Sequence, residues 1–297
     1  MKESIIRDPI ALRVVACGPV VSILQSQPIT IGENGSNMII EYRLNANQDS
    51  LSVKCKVDWK ESHKTLRYQI PTLYCGDVSR FGAPFNFVDR SQIPQGHKEE
   101  AQWEVPGSRW ASVLNGSMTD GLSIVTQAKY GFRAKQGTLG LTLLRSPTQP
   151  DPMADKGVHN IQFAITRHHN TFSSSDLTKH LPTAAKADDI FTPLVILSEP
   201  SCRSIINPPI KFNCLGSAVP SWVLPSNKSL GFCIRLHENA GDFTKISFSI
   251  PQKSCVQTVN FNEKVLSLLE PTSSDDDCYC YDLFIPAYKI VTLQILI

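Results

Sequence analysis

Residues 109–152, RWASVLNGSMTDGLSIVTQAKYGFRAKQGTLGLTLLRSPTQPDP, decide the fold class of this chain. Short segments of alternating apolar and polar residues are cut by Asn115-Gly116, Asp120-Gly121 and Gln136-Gly137, dipeptides that make the tight turns of antiparallel hairpins. In the last segment Leu139, Leu141 and Leu143 share one face while Thr138, Gly140 and Thr142 share the other. By that parity Arg145 continues the leucine face. Either the strand has ended there and the guanidinium turns to water, or the strand end opens into a polar cleft where a rigid five-donor fork meets a carboxylate or a sugar hydroxyl.

The same alternation extends in both directions. Residues 51–59, LSVKCKVDW, put Leu51, Val53, Cys55, Val57 and Trp59 on one face of a half-buried strand. KESHK then leads into TLRYQIP (65–71), and the two runs are expected to pair as a hairpin. PVVSIL (19–24) and MIIEYRL (38–44) precede them as strands, and HNIQFAITRHH (159–169) follows with Ile161, Phe163 and Ile165 on one face. Between Asp77 and Gly107 the pattern dissolves, which predicts a long surface excursion of the kind that lines sites on rigid β scaffolds.

Only SSSDLTKHLPTAAKADD (173–189) suggests a helix, with the serines and Asp176 as caps and Pro182 as a break or restart. A second β set begins at Phe191 and runs through SLGFCIRLHE, TKISFSIP, SCVQTVNF and the closing YKIVTLQILI. The reading is therefore all-β: a first domain over 1–175, a linker over 176–190 with a short helix, and a compact C-terminal β-sandwich over 191–297.

Composition narrows the function. With 297 residues and 41% hydrophobic content the chain buries its own cores without a metal or disulfide scaffold. A net charge of +2, with no basic run interleaved with aromatics, argues against nucleic acid. No stretch has the length of a membrane span or the apolar core of a secretory signal. Nine cysteines, an odd number, are expected to be reduced thiols in the cytoplasm. The sequons at Asn34, Asn115 and Asn227 then read as turns. Cys278 and Cys280 are too closely spaced to form a zinc site alone, and His168-His169 are expected to be exposed. No paired carboxylates suited to glycoside hydrolysis, nucleophile elbow, phosphate loop or metal-ligand spacing is visible; Glu99-Glu100, Asp188-Asp189 and Asp275–Asp277 read as solvated surface.

Four stretches together resemble the C-terminal half of the family 38 α-mannosidases, in their cytosolic and vacuolar branch: KVDWKESHKTLRYQIP (56–71), AQWEVPGSRWASV (101–113), KYGFRAKQGTLGLTLLRSPTQPDPMADKGVH (129–159) and RLHENAG (235–241). They stand here in the family's order, and the likeness continues to the end of the chain. Residues 88–103, VDRSQIPQGHKEEAQW, depart from the family's pattern. The resemblance implies a galactose-mutarotase-like β-supersandwich followed by a small β-sandwich, and a cytoplasmic or vacuolar place. It implies hydrolysis of terminal α-linked mannose in oligosaccharides, with the zinc and the aspartate nucleophile in an upstream catalytic domain that this chain lacks. No cofactor is expected in the chain itself.

The match in LLRSP carries a substrate-facing role to Arg145, at the seam with that missing domain, and so favours the cleft over solvent. Asp151 and Asp155 in the following turn are read as loop support. The alternatives are a non-catalytic carbohydrate-binding or scaffold protein, and a mutarotase-like epimerase, for which no positioned acid and base pair is seen.

Overall fold

The computed structural model describes residues 4–6, 9–172, 181–192, 209–228, 230–251, 254–274 and 277–296. Contacts divide the chain into two compact units, one of Met1–Arg80 with Arg90–Arg167 and one of Phe81–Asp89 with His168–Ile297.

The first part of the chain forms β1 (Leu12–Cys17), β2 (Val21–Ser26), β3 (Ile29–Ile31), β4 (Ser36–Asn45), β5 (Ser50–Trp59), β6 (Leu66–Pro71), β7 (Val78–Ala83) and β8 (Asn86–Ser91). A one-turn helix α1 (His97–Glu100) is followed by β9 (Val105–Pro106), β10 (Trp110–Leu114), β11 (Gly121–Thr126), β12 (Gly131–Lys135), β13 (Thr138–Leu144) and β14 (Gly157–Arg167). Ten strands make one sheet in the order β1-β2-β4-β5-β14-β11-β10-β7-β8, with β3 added to β4, and the other four pair as β6-β13-β12-β9. Their inner faces meet in one core, where Tyr68 of the smaller sheet sets its ring edge-on to Phe163 of the larger, centroids 4.9 Å apart. Trp59, Phe132, Leu139, Leu141 and Leu143 are buried with them, which is the supersandwich arrangement.

The alternation along β5 is kept, with Val53, Cys55, Val57 and Trp59 buried while Lys54 and Lys56 are exposed. Burial pushes the Cys55 thiol up to about 12, so it is an inert core group. The expected hairpin of β5 with β6 does not form. Both edges of β5 are already taken, by β4 and by β14. The chain instead crosses to the other sheet, where β6 pairs with β13. That crossing is tied down by Glu61, whose fully buried carboxylate accepts from the backbone of Glu33 (3.1 Å) and Asn34 (2.8 Å), and from Lys64 Nζ (2.8 Å).

The excursion expected over 77–107 is a second correction, because it holds the β7–β8 hairpin, α1 and β9. Ser79, Arg80 and Phe81 are all buried, so β7 has no polar face and no alternation to detect. Ser79 Oγ sits within hydrogen-bonding reach of the carbonyls of Arg90 (3.2 Å) and Ala134 (3.1 Å), which makes a polar residue tolerable there.

In the second unit a helix α2 (Thr183–Phe191) starts directly after Pro182, whose fixed φ suits a helix entry. The proposed caps at Ser173 to Asp176 lie outside the described residues. His168 is buried rather than exposed, with Nε2 2.8 Å from Asn170 Oδ1 and Nδ1 3.1 Å from Thr183 Oγ1. Nine strands follow: β15 (Lys211–Cys214), β16 (Ala218–Pro225), β17 (Gly231–Glu238), β18 (Thr244–Pro251), β19 (Cys255–Val259), β20 (Val265–Leu268), β21 (Ser273–Ser274), β22 (Cys278–Ile285) and β23 (Ile290–Leu296). They form sheets β15-β18-β22-β21 and β16-β17-β23-β19-β20. Ile234, Leu236, Ile246, Phe248, Tyr281, Leu293 and Ile295 make up their shared core.

Candidate functional site

The site begins at the end of β13. Register against β6 slips between Thr142 and Leu144, a β-bulge that buries Leu143 and Leu144 in succession. The bulge resets the parity, so Arg145 does not continue the leucine face. The strand ends at Leu144 and Arg145 is exposed.

Its backbone is nonetheless firmly held. Ser146 takes a left-handed φ of 48°, and the N–H groups of Arg145 and Ser146 converge on one oxygen of Asp155 at 2.8 and 2.9 Å. His63 N–H donates to the Ser146 carbonyl at 2.9 Å, and the buried Trp59 indole N–H donates to its hydroxyl. Asp151 closes a small turn of its own by accepting from Met153 N–H at 2.8 Å.

Arg145 and Asp155 line an open cleft of ≈ 590 Å³ together with Glu104, Lys129, Tyr130, Thr142 and Leu143. That volume lies within the roughly 300–1,000 Å³ of small-molecule sites. Lys129 enters from the β11–β12 turn, where its N–H donates to Thr126 Oγ1 at 2.9 Å and its carbonyl accepts from the same hydroxyl at 2.8 Å. Burial lowers the Lys129 pKa, and nearby Asp155 acts against that. For Asp155 burial acts upward, but the two N–H donors together with Lys129 and His159 outweigh it and hold the carboxyl below its usual range.

Asp155→Ala is expected to loosen this corner by about 1–3 kcal/mol, because it leaves two N–H groups without their acceptor. Since the folded pKa is depressed, the difference from the parent should be full above pH ~4 and should shrink as the pH falls through the folded value. Denaturant midpoints measured across that range, at constant slope, check it. A difference that grew on acidification would contradict this assignment.

Arg145, Asp151 and Asp155 were singled out from sequence, and the structure places Arg145 and Asp155 on one cleft with Asp151 in the turn between them. Glu104, Lys129, Tyr130 and Thr142 were not singled out. All four stand inside the motif stretches 101–113 and 129–159, but none carries a local signal that marks it out from its neighbours there. Among the described residues no three His, Cys, Asp or Glu side chains gather as a metal-ligand set of the kind zinc takes. No described helix is long and apolar enough to cross a membrane.

Residues 3–153 match the family described as "Glycosyl hydrolases family 38 C-terminal domain". The chain is 24% identical over 260 residues to "Alpha-mannosidase G" of Dictyostelium discoideum, covering 84% of this chain and 23% of that protein. It is 25% identical over 211 residues to "Alpha-mannosidase 2C1" of Homo sapiens, covering 68% and 19%. It is 32% identical over 117 residues to "Alpha-mannosidase" of Saccharomyces cerevisiae, covering 39% and 11%. Among solved structures, an α-mannosidase from Enterococcus faecalis V583 superimposes with a TM-score of 0.76 at 11% identity, over 96% of this chain and 35% of that one. The chain thus spans less than a quarter of the length of these curated relatives.

Proposed function

The chain belongs to the family of glycosyl hydrolase 38 C-terminal domains, and from that premise we propose that it is the β-domain part of an α-mannosidase acting on terminal α-linked mannose. The observation that carries this reading is the family match over residues 3–153. The cleft at the end of β13 supports it, with Arg145 on a rigid backbone and its side chain exposed. Hydrolysis of a glycoside needs two carboxyl groups across a cleft, and zinc would be supplied with the nucleophile by a separate or upstream catalytic domain. Arg145 would complete the polar wall there by orienting a sugar hydroxyl or a neighbouring carboxylate, with Asp155 and the Asp151 turn fixing the backbone beneath it. The division into a supersandwich over 1–175, a linker over 176–190 and a sandwich over 191–297 belongs to the same proposal, as does a cytoplasmic or vacuolar place.

Two assays test it. Residues 1–297 alone should melt cooperatively yet leave a chromogenic α-mannoside uncleaved, with or without added zinc. Joined to the catalytic domain of a family 38 relative, the chain should support turnover, and Arg145→Lys should reduce kcat/KM about tenfold without changing the melting temperature, since an ammonium does not reproduce the planar fork. Unchanged kinetics would return Arg145 to ordinary surface. Turnover by the chain alone, lost on replacing one of its own carboxylates, would show the active site to be misplaced.

A further inference from the structure

We propose that the outer face of the four-stranded sheet is a second binding site, for an uncharged sugar ring, formed by Arg67, Arg133 and Thr142 beneath Trp103 and Glu104. It adjoins the Arg145 cleft, with which it shares Thr142 and Glu104, and needs no catalytic domain. Arg67 of β6 and Thr142 of β13 are direct cross-strand partners, and Arg133 of β12 is the partner of Gly140 on the same face. Gly140 leaves room for this: a Cβ would stand 2.9 Å from Arg67 Cδ, so the Arg67 stem lies across the position a side chain would fill and would have to shift to admit one. Gly131 leaves similar room beside Thr142, whose Cβ would be 3.3 Å from a side chain placed there.

Three polar atoms of this patch, Arg67 Nε, Arg133 Nη1 and Thr142 Oγ1, are buried without a hydrogen-bond partner among the described groups. Buried polar atoms are nearly always satisfied, so three orphans on one sheet face mark a place where a ligand makes up the deficit. Thr142 is only 7% exposed and lines the cleft together with Glu104. All three atoms can donate, and the acceptors they suit are oxygens.

Local charge decides which oxygens. Arg67 is already paired with Glu104 at 3.1 Å, and Lys135 feels Glu99 and Glu100. Arg67 and Arg133, with neighbouring Lys135, thus have Glu104, Glu99 and Glu100 close by, and an anionic ligand would meet no excess of positive charge there. Trp103 adds the other half of sugar recognition. Its ring lies 5.4 Å from the Arg133 guanidinium, and it remains 40% exposed, a flat apolar surface for the C–H face of a pyranose. Hydroxyl-directed donors beside an aromatic plate, in a neutral setting, bind a sugar better than a phosphate or a carboxylate.

Ligand-observed saturation-transfer NMR and calorimetry on the full chain, with methyl α-D-mannopyranoside, inorganic phosphate and glucuronate as probes, test the site. The methyl mannoside should bind and the two anions should not. Trp103→Ala should weaken binding about tenfold. Thr142→Val and Arg67→Lys, which keep shape and charge respectively, should weaken it at an unchanged melting temperature, and Arg145→Ala should weaken it less than either. Absence of mannoside binding, or binding of the anions instead, overturns the proposal. Equal loss with Arg145→Ala also overturns it, by moving the sugar to the Arg145 wall and leaving the α-mannosidase reading intact.

Discussion

Replacing Glu61 with alanine should cost about 3–5 kcal/mol, because it strands several buried donors at once and leaves a cavity in place of the carboxylate. The carboxylate is fully buried, yet every lone pair is used. Oε1 accepts from Glu33 N–H (3.1 Å), Asn34 N–H (2.8 Å) and Ser36 Oγ (3.3 Å), and Oε2 from Asn34 Nδ2 (3.2 Å) and Lys64 Nζ (2.8 Å). Gly32 permits this approach: it has φ +71°, and a Cβ there would stand 2.4 Å from the Glu61 carboxyl. Alanine at 61 strands those donors and opens a cavity between the β3–β4 turn and the crossing from β5 to β6. Burial alone would raise the Glu61 pKa, but Lys64, Asn34 and Ser36 prevail and hold it below the ordinary value. Its contribution is therefore complete above pH ~5 and lost as the pH falls through the folded value. Chemical denaturation of parent and variant at neutral and acid pH reads both effects. A change below about 1 kcal/mol at neutral pH would show the cluster to be incidental.

Glu238→Ala should have the next largest effect, about 2–4 kcal/mol, in the second unit. Glu238 is fully buried at the end of β17 and accepts from Ala240 N–H (2.6 Å), Gly241 N–H (2.9 Å) and Tyr288 N–H (2.8 Å). One carboxylate thus ties the turn after β17 to the turn before β23. Gly241 makes the packing possible, with φ +84° and no side chain to meet the Tyr288 hydroxyl, which a Cβ would approach to 2.3 Å. Hydrogen exchange should show protection lost first at 240, 241 and 288 while the core of β18 and β22 keeps its own. Loss spread evenly over the unit would argue that Glu238 acts through general packing instead.

Strands were legible from sequence where apolar and polar or small residue types alternate, even in β13, which is buried along nearly its whole length. β5 shows its core face in alternation because its other face carries exposed lysines, and β17 shows it through the spacing of Phe232, Ile234 and Leu236, although Cys233 and His237 on its other face are buried too. β7 is buried on both sides and reads as irregular. Pairing was less legible than strand identity: the β5–β6 hairpin is the natural local choice, and only knowing that β4 and β14 flank β5 excludes it. Glu61 was hidden for a related reason, since KESHK looks like a solvated turn and its backbone partners lie at 33 and 34. At the site, parity was correct along β13 until a single bulged residue inverted it just before Arg145.

The hairpin of β7 and β8 has a consequence for synthesis. Its tip, Phe81–Asp89, belongs by contact to the second unit, where the Phe85 ring meets His237 at 5.3 Å and the Phe87 ring meets Tyr288 at 5.9 Å. On the ribosome those two phenylalanines emerge well before either partner. At about 5–20 residues per second the wait for Tyr288 is about 10–40 s, far longer than a hairpin takes to form. A nascent chain therefore carries the Phe85 and Phe87 rings well before His237 and Tyr288 exist to receive them.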